Sequence, residues 1–268
     1  AGVTASGAVD IDAVGNFVNA AADIDGGTGA GNDVSISANT INMGGQALTG
    51  DDITLDAAND TTSSAIGAVT ADNDVTLAGG NLDVTGTVTA TAGSVTVSGG
   101  DVDVSVNVLS ATGILVSGGD LKAAGVHTAS GQLTVSGTAG YEATTTSSTG
   151  GVLITSANDV ALGTLDNDTA VVNGGGASGD ISLTTVATSG AVSTIVTGTG
   201  DDNLTLAGAD YFAVQSGDGN DTVNINDVLA ASVINTGGGD DIVAATDAGV
   251  AYVLSTGDGN DVITVADG

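Results

Sequence analysis

The chain of 268 residues contains no cysteine, no proline, no tryptophan and one basic residue, Lys122. Without cysteine there are no disulfides, no thiolate metal site and no cysteine nucleophile. With one lysine against 32 acidic residues, the formal net charge is −31. Such a chain repels a phosphate backbone and an anionic membrane surface, so neither nucleic-acid binding nor membrane insertion is expected. Apolar runs are only a few residues long, which excludes a membrane-spanning helix of about 20 residues. No basic region precedes an apolar stretch at Ala1, so an export signal is expected to have been removed or to lie outside this segment. The absence of proline fits segments that must all donate to a hydrogen-bond ladder.

The composition is not that of a disordered acidic tail. Hydrophobic residues make up 41% and charged residues 12%, and the apolar residues alternate with polar ones rather than being sparse. The acid is almost all aspartate, Glu142 being the only glutamate. Aspartate beside glycine and asparagine belongs to turns and to calcium loops, whereas acidity for solubility alone could equally use glutamate.

A repeat organises the chain. TGTGDDNLTL (197–206), SGDGNDTVNI (216–225), TGGGDDIVAA (236–245) and TGDGNDVITV (256–265) place Gly198, Gly217, Gly237 and Gly257 at intervals of 19, 20 and 20 residues. Upstream, alternating runs begin at Val34, Ile53, Val75, Val95, Ile114, Leu133 and Val152, at intervals of 19, 22, 20, 19, 19 and 19. Glycine pairs such as Gly79-Gly80, Gly99-Gly100 and Gly118-Gly119 follow several of these runs and are read as turns. The stretch from about 163 to 179, with Asp166-Asn167-Asp168 and Gly174-Gly175-Gly176, breaks the rhythm and is read as a protruding loop. No segment has apolar residues at helical spacing over three turns. Strands of three to five residues and Gly/Asn/Asp turns, repeated about every 20 residues, predict an all-β parallel β-solenoid with about 19–20 residues per coil. Small aliphatic side chains stacked in columns then form a core without aromatics.

The four C-terminal turns resemble the repeats-in-toxin (RTX) nonapeptide G-G-x-G-x-D-x-U-x. Its second and fourth glycines match Gly198/Gly200, Gly217/Gly219, Gly237/Gly239 and Gly257/Gly259, and its aspartate matches Asp202, Asp221, Asp241 and Asp261. The first position departs from the pattern, being Thr or Ser throughout. The resemblance implies Ca²⁺ held between adjacent coils by these aspartates and by backbone carbonyls that the glycines free to turn inward, since the ion takes six to eight oxygens. Asp201, Asp218, Asn220, Asp240, Asp258 and Asn260 are further candidates or solvent-facing neighbours. A plainer reading of the same residues is a set of tight turns with solvated aspartates. Upstream, GAGND (29–33), GDD (50–52), DND (72–74) and AND (157–159) carry their aspartate one residue closer to the first apolar position and are read as ordinary Asx turns, with scattered calcium sites as the alternative. On this reading residues 1–190 are coils with few or imperfect calcium turns. Residues 191–268 are RTX-like calcium coils continuous with them.

Residues from about Val34 to Val160 (ITLDAAND, DNDVTLAGGNLDVTGTV, SVTVSGGDVDV) resemble filamentous-haemagglutinin-type β-helix. Both resemblances imply a bacterial exoprotein, extracellular or at the cell surface. The expected role is structural: a surface-layer element, matrix fibre or adhesin stalk that stacks end to end with itself or within a longer array, with cell-surface polysaccharide as a further partner. One alternative is ice or other ligand binding, because RTX-like ice-binding adhesin domains are similar; here the outward column Thr199, Asp218, Gly238, Asp258 breaks the threonine ladder. Another is a polysaccharide lyase or epimerase, for which Lys122, His127 and Tyr141 are the nearest approach to a catalytic cluster. These three fall in different parts of successive coils with no catalytic motif around them, so no enzyme is expected.

Overall fold

The computed structural model describes all residues except 1–2, 5–6, 20–21, 28, 59–64, 105, 130, 138–140, 149–150, 157–158, 168–170, 175–176, 189–191, 209–210, 229–230, 247–250 and 267–268. Strands pair in parallel from coil to coil, and no helix occurs among the described residues. Coils succeed each other about every 20 residues, which makes the fold a parallel β-solenoid. Two compact units divide the chain, residues 1–131 and 132–268.

In the first unit the strands pair into three columns. One column runs Val9, Val34, Ile53, Val75, Val95, Ile114 through consecutive pairings. Another runs Val3, Ile24, Leu48, Val69, Val88, Val108. Between them in chain order lie Ile66, Val84, Val104 and Ala123. The alternation seen in the sequence becomes alternation in depth: Val34–Ala38 and Ile53–Ala57 bury every second residue. Each side chain thus stacks on a like side chain one rung away, at the strand spacing of about 4.8 Å. Burying one of these aliphatic groups is worth about 1.5–3 kcal/mol, so repetition replaces large aromatics as the source of the core.

In the second unit the strands pair into two columns. One column runs Leu133, Val152, Val172, Ile195, Val214, Ile234, Leu254. The other runs Leu162, Leu183, Leu204, Val223, Val243, Ile263. All seven upstream strand starts expected from the sequence lie in these columns or in those of the first unit.

Two expectations are corrected. The stretch at 163–179 is not a protruding loop. Val160–Asn167 and Val171–Asn173 are strands paired on both sides, with Asp166 opposite Ala187 and Asn167 opposite Thr188. Asp166 and Asn167 end the first of these strands and Gly174 follows the second; Asp168, Gly175 and Gly176 lie outside the described residues. Nor are all strands three to five residues long. Val95–Val104 and Ile114–Ala129 run through their glycine pairs, with Gly100 paired to Gly119. Gly100 keeps its place in the ladder, as does Gly79, which pairs with Ala57 at a φ of 90°.

Candidate metal centre

The four Gly-x-Gly turns stack directly on one another. Gly198 pairs with Gly217, and Asp218, Gly238 and Asp258 form successive parallel bridges. The backbone repeats its bonds from coil to coil: Asp218 N–H donates to the Gly198 carbonyl at 3.1 Å, Gly238 N–H to Gly217 and Asp258 N–H to Gly237, both at 3.0 Å. Gly217 and Gly219 show why glycine is required. Both have positive φ, 105° and 133°, and a Cβ on either would land on the carbonyl oxygen of Gly198 or Gly200 in the preceding coil. The glycines therefore bring a file of main-chain oxygens against the next turn.

The second glycine of the turn continues this file through Gly239 and Gly259, which lie against the carbonyls of Gly219 and Gly239 respectively. The sequence treats these two glycines as equivalent members of a metal-holding set, and the structure separates them. Gly239 is half-buried, and its N–H donates to the Asp258 carbonyl at 2.8 Å, as Gly219 N–H does to Gly238 at 2.7 Å. Gly259 is exposed, as is Gly257 on the same turn. The physical reason is that enclosure comes from a coil on either side, and among the described residues no further turn stacks on Gly257 and Gly259.

Each turn carries two neighbouring side chains that reach in opposite directions along the stack. The outer one reaches forward. Asp180 Oδ1 accepts from Asp201 N–H at 2.8 Å, Asp201 Oδ1 from Asn220 N–H at 2.7 Å, Asn220 Oδ1 from Asp240 N–H at 2.9 Å and Asp240 Oδ1 from Asn260 N–H at 2.8 Å. Asp201, Asn220, Asp240 and Asn260 are exposed, as are Asp218 and Asp258. The inner side chain reaches back. Asp202 Oδ1 accepts from Ile181 N–H, Asp221 Oδ1 from Asp202 N–H, Asp241 Oδ1 from Asp221 N–H and Asp261 Oδ1 from Asp241 N–H, at 2.8–3.0 Å.

Asp202, Asp221 and Asp241 are 1%, 1% and 0% exposed, and the Oδ2 atom of each is buried without a hydrogen-bond partner. Asp261, on the last of these turns, is half-buried. A buried carboxylate oxygen with no donor is costly unless the charge is neutralised or matched. Burial is the main influence that raises the Asp202 carboxyl to about 6, opposed by hydrogen bonding from Thr197 and Ile181 and reinforced by the charge of Asp221. Burial likewise raises Asp221, with the charge of Asp241 adding to it.

Register shows how unusual this column is. Ser182 pairs with Asn203, so Ile181 occupies in its coil the place of Asp202 in the next, and Ile181 itself pairs with Val160. The inner column thus reads Val160, Ile181, Asp202, Asp221, Asp241, Asp261: aliphatic for two coils, then carboxylate. Four upstream aspartates, Asp159 and Asp33, Asp52 and Asp74, belong to the outer kind, whereas Asp51 is buried and accepts from Gly31 N–H and Asn73 Nδ2. Asp159 Oδ1 accepts from Asp180 N–H at 3.1 Å. In the first unit Asp33, Asp52 and Asp74 accept from the N–H of Asp52, Asp74 and Ser94 in the same forward sense. Ala157 and Asn158 of the AND turn lie outside the described residues.

Sequence reasoning passes over the hydroxyls at the first turn position. Thr197, Ser216 and Thr236 are each 0% exposed; their departure from the glycine of the RTX pattern is the available signal. Of the residues weighed as a catalytic cluster, Lys122 is exposed and lies opposite Asp103, and His127 lies opposite Val108 in a different column. Tyr141 belongs to the other unit, opposite Val160.

The inner carboxylates come one per coil, and among the described residues no three acidic or histidine side chains converge on a point. A cation here would therefore need main-chain oxygens beside each aspartate, which the glycine turns bring near. The donor set is all oxygen, the chemistry that suits a hard divalent ion. No protein-family model, curated protein or solved structure matches this chain.

Proposed function

We propose that this chain is a calcium-stabilised structural protein of the extracellular space or bacterial cell surface, working as a surface-layer element, matrix fibre or adhesin stalk. The observation that carries the reading is the inner column, where carboxylates with unpartnered oxygens take over buried positions held by Val160 and Ile181 in preceding coils. Ca²⁺ would be held by Asp202, Asp221, Asp241 and Asp261 together with carbonyls of the Gly198, Gly217, Gly237 and Gly257 turns. Bound there, it supplies positive charge to carboxylates that otherwise repel by about 3–4 kcal/mol per neighbouring pair, at a 4.8 Å rung and an effective dielectric near 20. Extracellular calcium is abundant enough to fill weak sites of this kind, which is the reason for placing the protein outside the cell.

Self-association fits the same reading. Val243 is 1% exposed, while Ile263, its partner one coil on, is 50% exposed.

The test is circular dichroism and elemental analysis of the protein after EGTA treatment and after return to millimolar Ca²⁺. The reading expects bound calcium, and loss and recovery of part of the β signal. A metal-free protein with an unchanged spectrum and melting temperature refutes it.

A further inference from the structure

Each inner carboxylate reaches back to the coil before its own, so the turn behind it is the one it meets. Asp221, Asp241 and Asp261 meet the turns of Gly198, Gly217 and Gly237. Behind Asp202 there is no Gly-x-Gly motif turn of this kind. Yet Asp202 is buried at 1% exposure, and its Oδ2 lacks a donor just as those of Asp221 and Asp241 do. Its Oδ1 accepts from Ile181 N–H at 2.8 Å, which sets the carboxylate against the segment that ends in Ile181.

That segment, ASGDI (177–181), has the backbone of a further turn without the motif. The structure aligns it residue by residue with GTGDD (198–202). Thr199 N–H donates to the Ala177 carbonyl at 3.1 Å, as Asp218 N–H does to the Gly198 carbonyl. A Cβ on Gly198 would land on the carbonyl oxygen of Ala177, and one on Gly200 on that of Gly179. Gly217 and Gly219 stand in the same relation to Gly198 and Gly200. Asp180 Oδ1 accepts from Asp201 N–H, the outer bond of every later turn. Ala177 and Gly179 are buried while Ser178 and Asp180 are exposed, the pattern of Gly198, Gly200, Thr199 and Asp201.

The file of main-chain oxygens therefore starts one coil before the motif. What ASGDI lacks is the first glycine and the inner acid. A site between this turn and the next requires neither. Ala177 presents its carbonyl as a glycine would, and the carboxylate comes from Asp202. The inner acids support the same count. Four carboxylates reach back, whereas the four motif turns have only three interfaces among themselves, Gly198 to Gly217, Gly217 to Gly237 and Gly237 to Gly257. Including ASGDI gives each carboxylate an interface of its own.

We propose that Ala177 and Gly179 are metal-site residues, whose carbonyl oxygens and the Asp202 carboxylate hold a hard divalent cation between 177–181 and 198–202. This inference rests on the calcium reading above and adds to it a site built on a turn with no acid of its own inside.

The experiment is an anomalous difference map from crystals of the full chain grown in millimolar CaCl₂. A calcium peak is expected between the Ala177–Gly179 carbonyls and Asp202, beside peaks at the three downstream interfaces. Peaks downstream with none at Asp202 overturn the proposal and leave the calcium reading standing. No peak at any of these turns overturns the calcium reading itself. In solution, equilibrium dialysis followed by elemental analysis compares wild type with Asp202→Asn, which keeps the shape and removes the charge. Asp202→Asn is expected to bind one ion fewer per chain; an undiminished count overturns the assignment. Should Asp202→Asn not fold, the wild-type map decides alone.

Discussion

The turns at Asp33, Asp52 and Asp74 and the turns at Asp201, Asn220 and Asp240 share one device. In both, an outer Asp or Asn accepts the backbone N–H of the next coil, so successive turns are tied by a ladder of side-chain bonds. They part at the following residue. In the first unit this is Val34, Ile53 or Val75, buried at 0–1% exposure. In the C-terminal turns it is Asp202, Asp221 or Asp241, buried as completely. An aliphatic group is satisfied by its neighbours above and below, so the first unit needs nothing more to close its core. A stacked carboxylate is opposed by the same neighbours. The difference teaches that one turn scaffold can carry either an aliphatic group or a carboxylate at the same buried place, through a change at a single position per coil.

Calcium removal should divide the two regions most strongly. Hydrogen exchange in EGTA is expected to show protection lost across residues 197–265 and kept across residues 34–116. Equal loss in both regions, or in neither, breaks the comparison.

Exchanging the residues across the comparison comes next. Val75→Asp puts an unmatched charge into the aliphatic column and is expected to destabilise the first unit by about 3–5 kcal/mol, with no recovery in calcium. Asp221→Val restores the aliphatic solution and is expected to stabilise the calcium-free protein by roughly 1–4 kcal/mol while weakening its calcium response. Urea denaturation with and without Ca²⁺ reads both; an Asp221→Val protein less stable than wild type in EGTA contradicts the assignment.

Acidity offers a milder probe. The Asp202 carboxyl is raised to about 6 from an ordinary 3.8, so the folded state binds its proton more readily than the unfolded state does. Calcium-free stability should therefore rise as pH falls from 7 through 6 towards 4, by at most about 3 kcal/mol from this group. With calcium present the sign reverses, since protons then compete with the metal. Melting temperatures in the two buffers over this range check the crossing.

The smallest effect is expected in the shared outer ladder. Asp74 Oδ1 accepts from both Ser94 N–H at 2.6 Å and Ser94 Oγ at 2.9 Å on the exposed surface. Asp74→Ala should cost about 1 kcal/mol irrespective of calcium. A calcium-dependent loss in this variant would show that the upstream turns also hold the ion.

The repeat and its strand starts are legible in the chain because they are local properties. Period-two alternation at Val34, Ile53, Val75 and Val95, punctuated by Gly and Asp, specifies a half-buried strand and a turn without reference to any distant residue. That upstream aspartates stand one residue nearer the first apolar position is also local, and the register explains it: Asp159 and Asp180 align with Asp201, not with Asp202. The unequal enclosure of Gly239 and Gly259 is invisible to the motif, because both occupy the same place in it and differ only in what stacks beside them. The stretch at 163–179 misleads for the same reason. Its composition is that of a loop, and only pairing with coils about 20 residues away makes Val160–Asn167 and Val171–Asn173 strands.

By itself, then, the amino-acid order determined that this protein coils in steps of about 20 residues and where each coil begins. The tertiary structure decided that strands pair into three columns in one unit and two in the other. It also decided that Asp202, Asp221 and Asp241 lie inside while Asp201, Asn220 and Asp240 lie outside, and that Thr197, Ser216 and Thr236 line up behind them. These are relations between residues a full coil apart, set by how much chain each corner absorbs and by which backbone groups then meet. Burial of a carboxylate is a property of those neighbours, not of the residue.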